Sequence, residues 1–133
     1  MARITIATPA IKVNGVTRAI VPNSFTFTKG RGEINVRAAS IGGGASESVH
    51  SRNAETQISN PKFKMFADKE SIAAIDEFAE NIAANAIEAI QSVSTGSITY
   101  SFTGQSLTTD PEVSATSDGD FELEFKGDQM IGV

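Results

Sequence analysis

A mainly β fold, either a β-sandwich or a partly closed barrel, with one flanking α-helix and one long glycine-rich loop, is what this sequence predicts. Three observations carry that prediction. Short apolar–polar alternations recur along most of the 133 residues, which is the pattern of strands with one buried face. Turn signals separate them at short intervals, foremost Asn14-Gly15 and Asp118-Gly119. Only residues 68–82 place their apolar side chains at helical spacing instead.

The elements follow in chain order. Ile4 and Ile6 alternate with polar neighbours, and residues 11–13 and 16–21 flank Asn14-Gly15 as a hairpin. Phe25 and Phe27 alternate with Ser24, Thr26 and Thr28, which puts both rings on one face. Lys29-Gly30-Arg31-Gly32 reads as a turn, and residues 33–38 alternate again with Ile34, Val36 and Ala38 inward. Over residues 39–53 the alternation stops. That stretch is small, polar and glycine-rich, with little to bury, and reads as a loop that is mobile or functional.

Order resumes at residues 54–59, with Asn60-Pro61 as a turn marker before a strand at residues 62–66 that keeps its lysines wet. Asp68 is placed to cap a helix whose apolar stripe is Ile72, Ile75, Phe78 and Ile82, with Asp76, Glu77 and Glu80 on the outer side. Residues 85–93 fit a continued helix or a strand, and the turn at Ser94-Thr95-Gly96 favours the strand. Strands at residues 98–102 and 112–115 follow. Asp118-Gly119 then turns the chain into a strand with Phe121, Leu123 and Phe125 inward and Glu122 and Glu124 outward. The sum is eight or nine short strands and one helix in a single domain over residues 1–133.

A chain of this length can form one core without disulfides or metals. Hydrophobic residues make up 40% and charged residues 20% of it, as in globular rather than disordered chains. With no cysteine, disulfides and thiolate metal sites are excluded, which fits a reducing cytoplasm. No apolar h-region opens the chain and no run nears the roughly 20 residues that cross a bilayer, so neither a signal peptide nor a membrane anchor is expected. The net charge of −5 is split: six basic residues and one acid lie before residue 38, and much of the acidic excess lies between Asp110 and Asp128. A net acidic chain is poorly suited to gripping nucleic acid. Opposite charge at its two ends suits neighbours that associate head to tail.

No site for chemistry assembles from the residue types and spacings. His50 is the only histidine, so no His-His metal set exists within one chain, and no G-x-S-x-G elbow accompanies it. Gly42-Gly43-Gly44 is followed by neither Gly-Lys-Ser/Thr nor a helix opening, which argues against phosphate binding. Asp118-Gly119-Asp120 with Glu122 and Glu124 has its glycine too early for a calcium loop. No acid, base and nucleophile converge, and the expectation is a non-enzymatic protein with no cofactor and no metal.

Several stretches, taken together and in order, resemble tail tube proteins of contractile-tailed (myovirus-like) bacteriophages. They are Ile20-Val21-Pro22-Asn23-Ser24-Phe25-Thr26-Phe27, Val36-Arg37-Ala38-Ala39-Ser40 running into Gly42-Gly43-Gly44, and residues 53–59 with Lys62-Phe63-Lys64. The helix at residues 72–78, Leu107-Thr108-Thr109-Asp110-Pro111-Glu112-Val113, and Ser117-Asp118-Gly119 with the strand at 121–125 complete the set. The resemblance spans nearly the whole chain, and its strength lies in the ordered set rather than in one motif.

It implies a virion structural subunit made in the host bacterial cytoplasm. Six copies would form a ring, and rings would stack into a hollow tube inside a contractile sheath. The genome and the tape measure protein would pass through the tube without specific binding, and tail-terminator and baseplate proteins would close its ends. The loop at about 39–53 would then reach the neighbouring ring, with Arg37, Ser40, Gly42, Gly43, Gly44, Glu47, His50, Arg52 and Glu55 as the stacking contact. Acidic residues lining the channel would repel phosphates and let DNA slide. The tube protein of a type VI secretion or other contractile injection particle is the nearest alternative. A monomeric β-sandwich binding module is another, although Trp is absent and Tyr100 is the only tyrosine.

Overall fold

The computed structural model describes residues 8–130, and the alternation at Ile4 and Ile6 lies outside the described residues. In chain order the elements are β1 (Ala10–Val13), β2 (Val16–Arg18), β3 (Glu33–Gly42), β4 (Ala45–Asn53), a 3-10 turn (Ala54–Thr56), β5 (Lys62–Phe66), α1 (Lys69–Glu80), β6 (Asn85–Val93), β7 (Gly96–Leu107) and β8 (Asp120–Lys126). The fold is mainly β with one α-helix, as the alternations require.

Six strands form one sheet in the order β2-β1-β6-β7-β8-β5, and β3 pairs with β4 alone in a second, two-stranded sheet. Every neighbouring pair is antiparallel. The large sheet curls into a half-barrel. Its seam is drawn together by the chain that leaves β2: Ile20 bridges Met65 and Thr26 bridges Lys62 on the far edge strand, β5. Phe25 and Phe27 ride on this strap with their rings 5.6 Å apart, and both reach Phe102 inside the curl. The two rings share a face as their spacing predicts, although the strap itself is held by bridges rather than a full strand.

The core is one cluster in which β1, β5, β6, β7, β8 and α1 each contribute. Phe63, Phe78, Phe102, Phe121 and Phe125 are fully buried, each contributing about 2–3 kcal/mol by leaving water. Phe125 lies at the junction of sheet and helix: its ring stacks on Phe63 at 5.9 Å and meets the edge of Phe78 at 5.9 Å. Residues 85–93 are a strand, with Ile87 and Ala89 in the core. Phe121, Leu123 and Phe125 point inward as their alternation requires.

Four expectations are corrected here. The buried face of α1 is Ser71, Ala74, Ile75 and Phe78, whereas Ile72 is at its exposed edge. Ile82 lies beyond the C-cap Asn81 and is 80% exposed, because the helix ends before the stripe does. Asn60-Pro61 is not a turn: Ser59 opposes Gly127 and Lys62 opposes Glu124, three steps along on each side, so the register runs straight through. Pro61 has no N–H to donate, but its carbonyl accepts from the Phe125 N–H at 3.0 Å and keeps the ladder. Residues 112–115 form no strand, and the strand predicted over 16–21 stops at Arg18 as the chain leaves for the strap.

Asp68 caps α1 as predicted, its carboxylate accepting from the Ser71 N–H at 2.8 Å. That bond, helped by the Ser71 hydroxyl and the Glu70 N–H, holds the Asp68 carboxyl below the usual aspartate range. A depressed folded-state pKa stabilises the fold above the unfolded value, and the contribution disappears as pH falls through the folded value. The pH dependence of the melting temperature below about pH 4 is therefore expected to flatten in Asp68→Asn, which keeps an acceptor but cannot titrate. Equal slopes for the two proteins would show that the cap does not act through its charge.

A candidate self-association hairpin

The glycine-rich segment, expected as an irregular loop with Ile34, Val36 and Ala38 turned inward before it, is instead part of a long hairpin. β3 and β4 pair from Glu33–Asn53 at the root to Gly42–Ala45 at the tip. Gly42, Gly43 and Gly44 all hold positive φ, at 92°, 61° and 78°. Three consecutive residues in that region are affordable only for glycine, and this is what reverses the chain. The alternation breaks at residue 39 because the hairpin has no interior to alternate against, not because the strand ends.

At about 3.3 Å per residue the nine residues of β4 reach roughly 30 Å. Along that length only Ala39 and Asn53 are even partly covered. Ile34 is 46%, Val36 58%, Ile41 62% and Val49 39% exposed, so the apolar side chains expected in the core find no cover within their own chain. A two-stranded hairpin with nothing packed on it is marginal in water.

The root, by contrast, is pinned. The Arg52 Nη1 donates to the carbonyl of Arg31. The Glu33 N–H donates to Thr56 Oγ1 at 2.7 Å, and that hydroxyl donates to the Asn53 carbonyl at 2.8 Å. Gly30 passes so close to Ile58 that a Cβ there would lie 2.3 Å from its carbonyl carbon. The hairpin is therefore anchored firmly at one end and free at the other.

The residues predicted for a stacking contact all lie on or beside this hairpin, but they divide between its faces. Antiparallel partners share a face, so Ile34 with Arg52, Val36 with His50, and Ser40 with Ser46 define one. Arg37 with Val49 and Ala39 with Glu47 define the other, where Arg37 and Glu47 are diagonal neighbours. Gly42, Gly43 and Gly44 form the tip, and Glu55 sits beyond the root in the 3-10 turn. Glu47 thus faces away from His50 and Arg52. Ion pairs among the described residues are Arg18–Glu77 and Lys126–Glu124, and Arg37, Glu47, Arg52 and Glu55 belong to neither. His50 Nε2 lies 3.1 Å from Ser48 Oγ on the same face.

The expectation from residues alone missed the apolar members of this surface, Ile34, Val36 and Val49, by assigning the first two to a core. No local signal set them apart, because Ile34 and Val36 alternate with polar residues as the strands of a core do. Elsewhere, among the described residues, no group of three or more His, Asp or Glu side chains is placed to hold a metal ion, and no helix is long and apolar enough to cross a membrane. No protein-family model matches the chain, and no curated protein matches it in sequence.

Proposed function

We propose that the chain is a structural subunit of a tail tube, assembling with copies of itself into stacked, hollow rings. The observation that carries this reading is the β3–β4 hairpin, an ordered element whose apolar side chains have no cover in their own chain. A surface of that kind is stable in water when another chain covers it. The ordered resemblance to tail tube proteins names the assembly: six copies to a ring, a contractile sheath outside, and DNA and the tape measure protein passing within the virion tail. The outer edges of β3 and β4, each strand paired on one side only, suit the same role, since pairing with neighbouring copies leaves no edge exposed.

The test is negative-stain electron microscopy of the purified protein, concentrated at moderate salt, paired with sedimentation velocity. Hollow rings or tubes of uniform width are expected. Monodisperse small particles at every concentration, including in the presence of preformed tube ends, would overturn the reading in favour of a monomeric binding module.

A further inference from the structure

We propose that the loop Lys29-Gly30-Arg31-Gly32 is a binding site for a phosphate group, carried by free phosphate or by a phosphate monoester. This site lies outside the hairpin, and its occupant is not another copy of the chain.

The backbone of the loop is used on one side only. The carbonyl of Thr28 accepts from the Asn60 N–H at 3.2 Å, and that of Lys29 from the Met130 N–H at 2.9 Å. The carbonyl of Arg31 accepts from Arg52 Nη1 and from Gln57 Nε2. By contrast, the N–H groups of Gly30, Arg31 and Gly32 donate to no acceptor among the described residues, although Gly30 is buried. Buried backbone donors are nearly always paired, so three in succession call for an acceptor from outside the chain. Gly30 and Gly32 hold positive φ, at 83° and 87°, and Arg31 between them does not. That alternation turns successive N–H groups toward one side and makes a concave seat for an anion.

Space and charge coincide with this seat. An open cavity of about 500 Å³ adjoins it, walled by the loop together with Thr28, Glu33, Thr56 and Ile58. Lys29 and Arg31 bring an ammonium and a guanidinium to the cavity, and Arg52 reaches the loop from the hairpin root. None of these three cations belongs to an ion pair among the described residues. Glu33 is the carboxylate on the wall, and Glu55 stands just beyond the root. Three cations against two carboxylates leave a local balance of +1, in a chain whose net charge is −5. Three N–H groups and two cationic side chains are more donors than the two oxygens of a carboxylate can take in one plane. The tetrahedral oxygens of a phosphate can accept from all of them.

Equilibrium dialysis of the full chain against radiolabelled phosphate, in a constant excess of chloride, tests the site. Saturable binding of one phosphate per chain is expected, with a dissociation constant of about 1 mM or below. Lys29→Gln and Arg31→Gln keep the backbone seat, and each is expected to weaken binding about tenfold, the worth of one charge-assisted hydrogen bond. Lys12→Gln removes the same charge from β1 and is expected to change nothing. Amide hydrogen exchange is expected to slow on phosphate addition in the peptide spanning residues 29–33. No saturable binding, an equal loss from Lys12→Gln, or slowed exchange confined to other segments would overturn the assignment. Excess glycerol phosphate separates the two sources: displacement of the label shows that the seat admits a monoester, and retention restricts it to free phosphate.

Discussion

Excising the hairpin is expected to abolish polymerisation while leaving the folded monomer almost untouched. Glu33 and Asn53 are paired across the root, so a two-residue Asn-Gly turn can replace residues 34–52 without moving either end. Nothing in the core is lost, because every residue removed except Ala39 is exposed. The melting temperature should then shift by no more than about 3 °C, the range of surface changes that touch no buried contact. Loss of the Arg52 bond to the Arg31 carbonyl is the one root contact that excision removes. Thermal denaturation checks the first expectation and sedimentation velocity the second. A large fall in melting temperature would make the hairpin part of the folded body. Full-length polymers from the excised chain would remove it from the joint.

The opposite outcome is expected for Phe125→Ala. Its ring is fully buried, stacked on Phe63 and edge-on to Phe78, so it ties β5 and β8 to α1. Truncation loses the transfer energy of the ring and leaves a cavity that the surrounding Phe side chains cannot fill by small movements, a cost of about 3–5 kcal/mol. That is a large share of the roughly 5–15 kcal/mol that holds a domain of this size together. Urea denaturation of the monomeric, hairpin-excised chain measures the change without assembly adding to the apparent stability. A loss below about 1 kcal/mol would mean that the junction of sheet and helix relaxes around the gap. The excision and the substitution together separate what makes the fold from what makes the polymer.

The parts of this fold that the residues announce are those in which local chemistry and burial agree. Phe121, Leu123 and Phe125 alternate with glutamates and are buried where alternation puts them. Asn14-Gly15 turns β1 into β2, and Asp68 caps α1, because each is decided by atoms within a few residues. Residues 33–53 show where such reasoning stops. Ile34 and Val36 alternate as convincingly as any core strand, yet they are exposed. Alternation establishes that a strand has two unlike faces, but it does not say what covers the apolar one. Loss of alternation after Ala39 was likewise a sign of a strand in water rather than of a missing strand.

Ser71 and Ala74 on the buried face of α1 make the same point from the other side. Their small side chains let the helix approach the sheet closely, while the larger Ile72 and Ile82 look like core residues and are not.

Composition, turns, caps and the inward aromatic residues were determined by the sequence itself, since each rests on interactions that span a few positions of the chain. Closure of the half-barrel by the strap from Ile20 to Thr26 and the straight run through Asn60-Pro61 were decided by tertiary structure. These depend on pairings between residues 36 to 68 positions apart. Only the folded chain brings such residues together, because the cost of closing loops that long is repaid by the whole core at once.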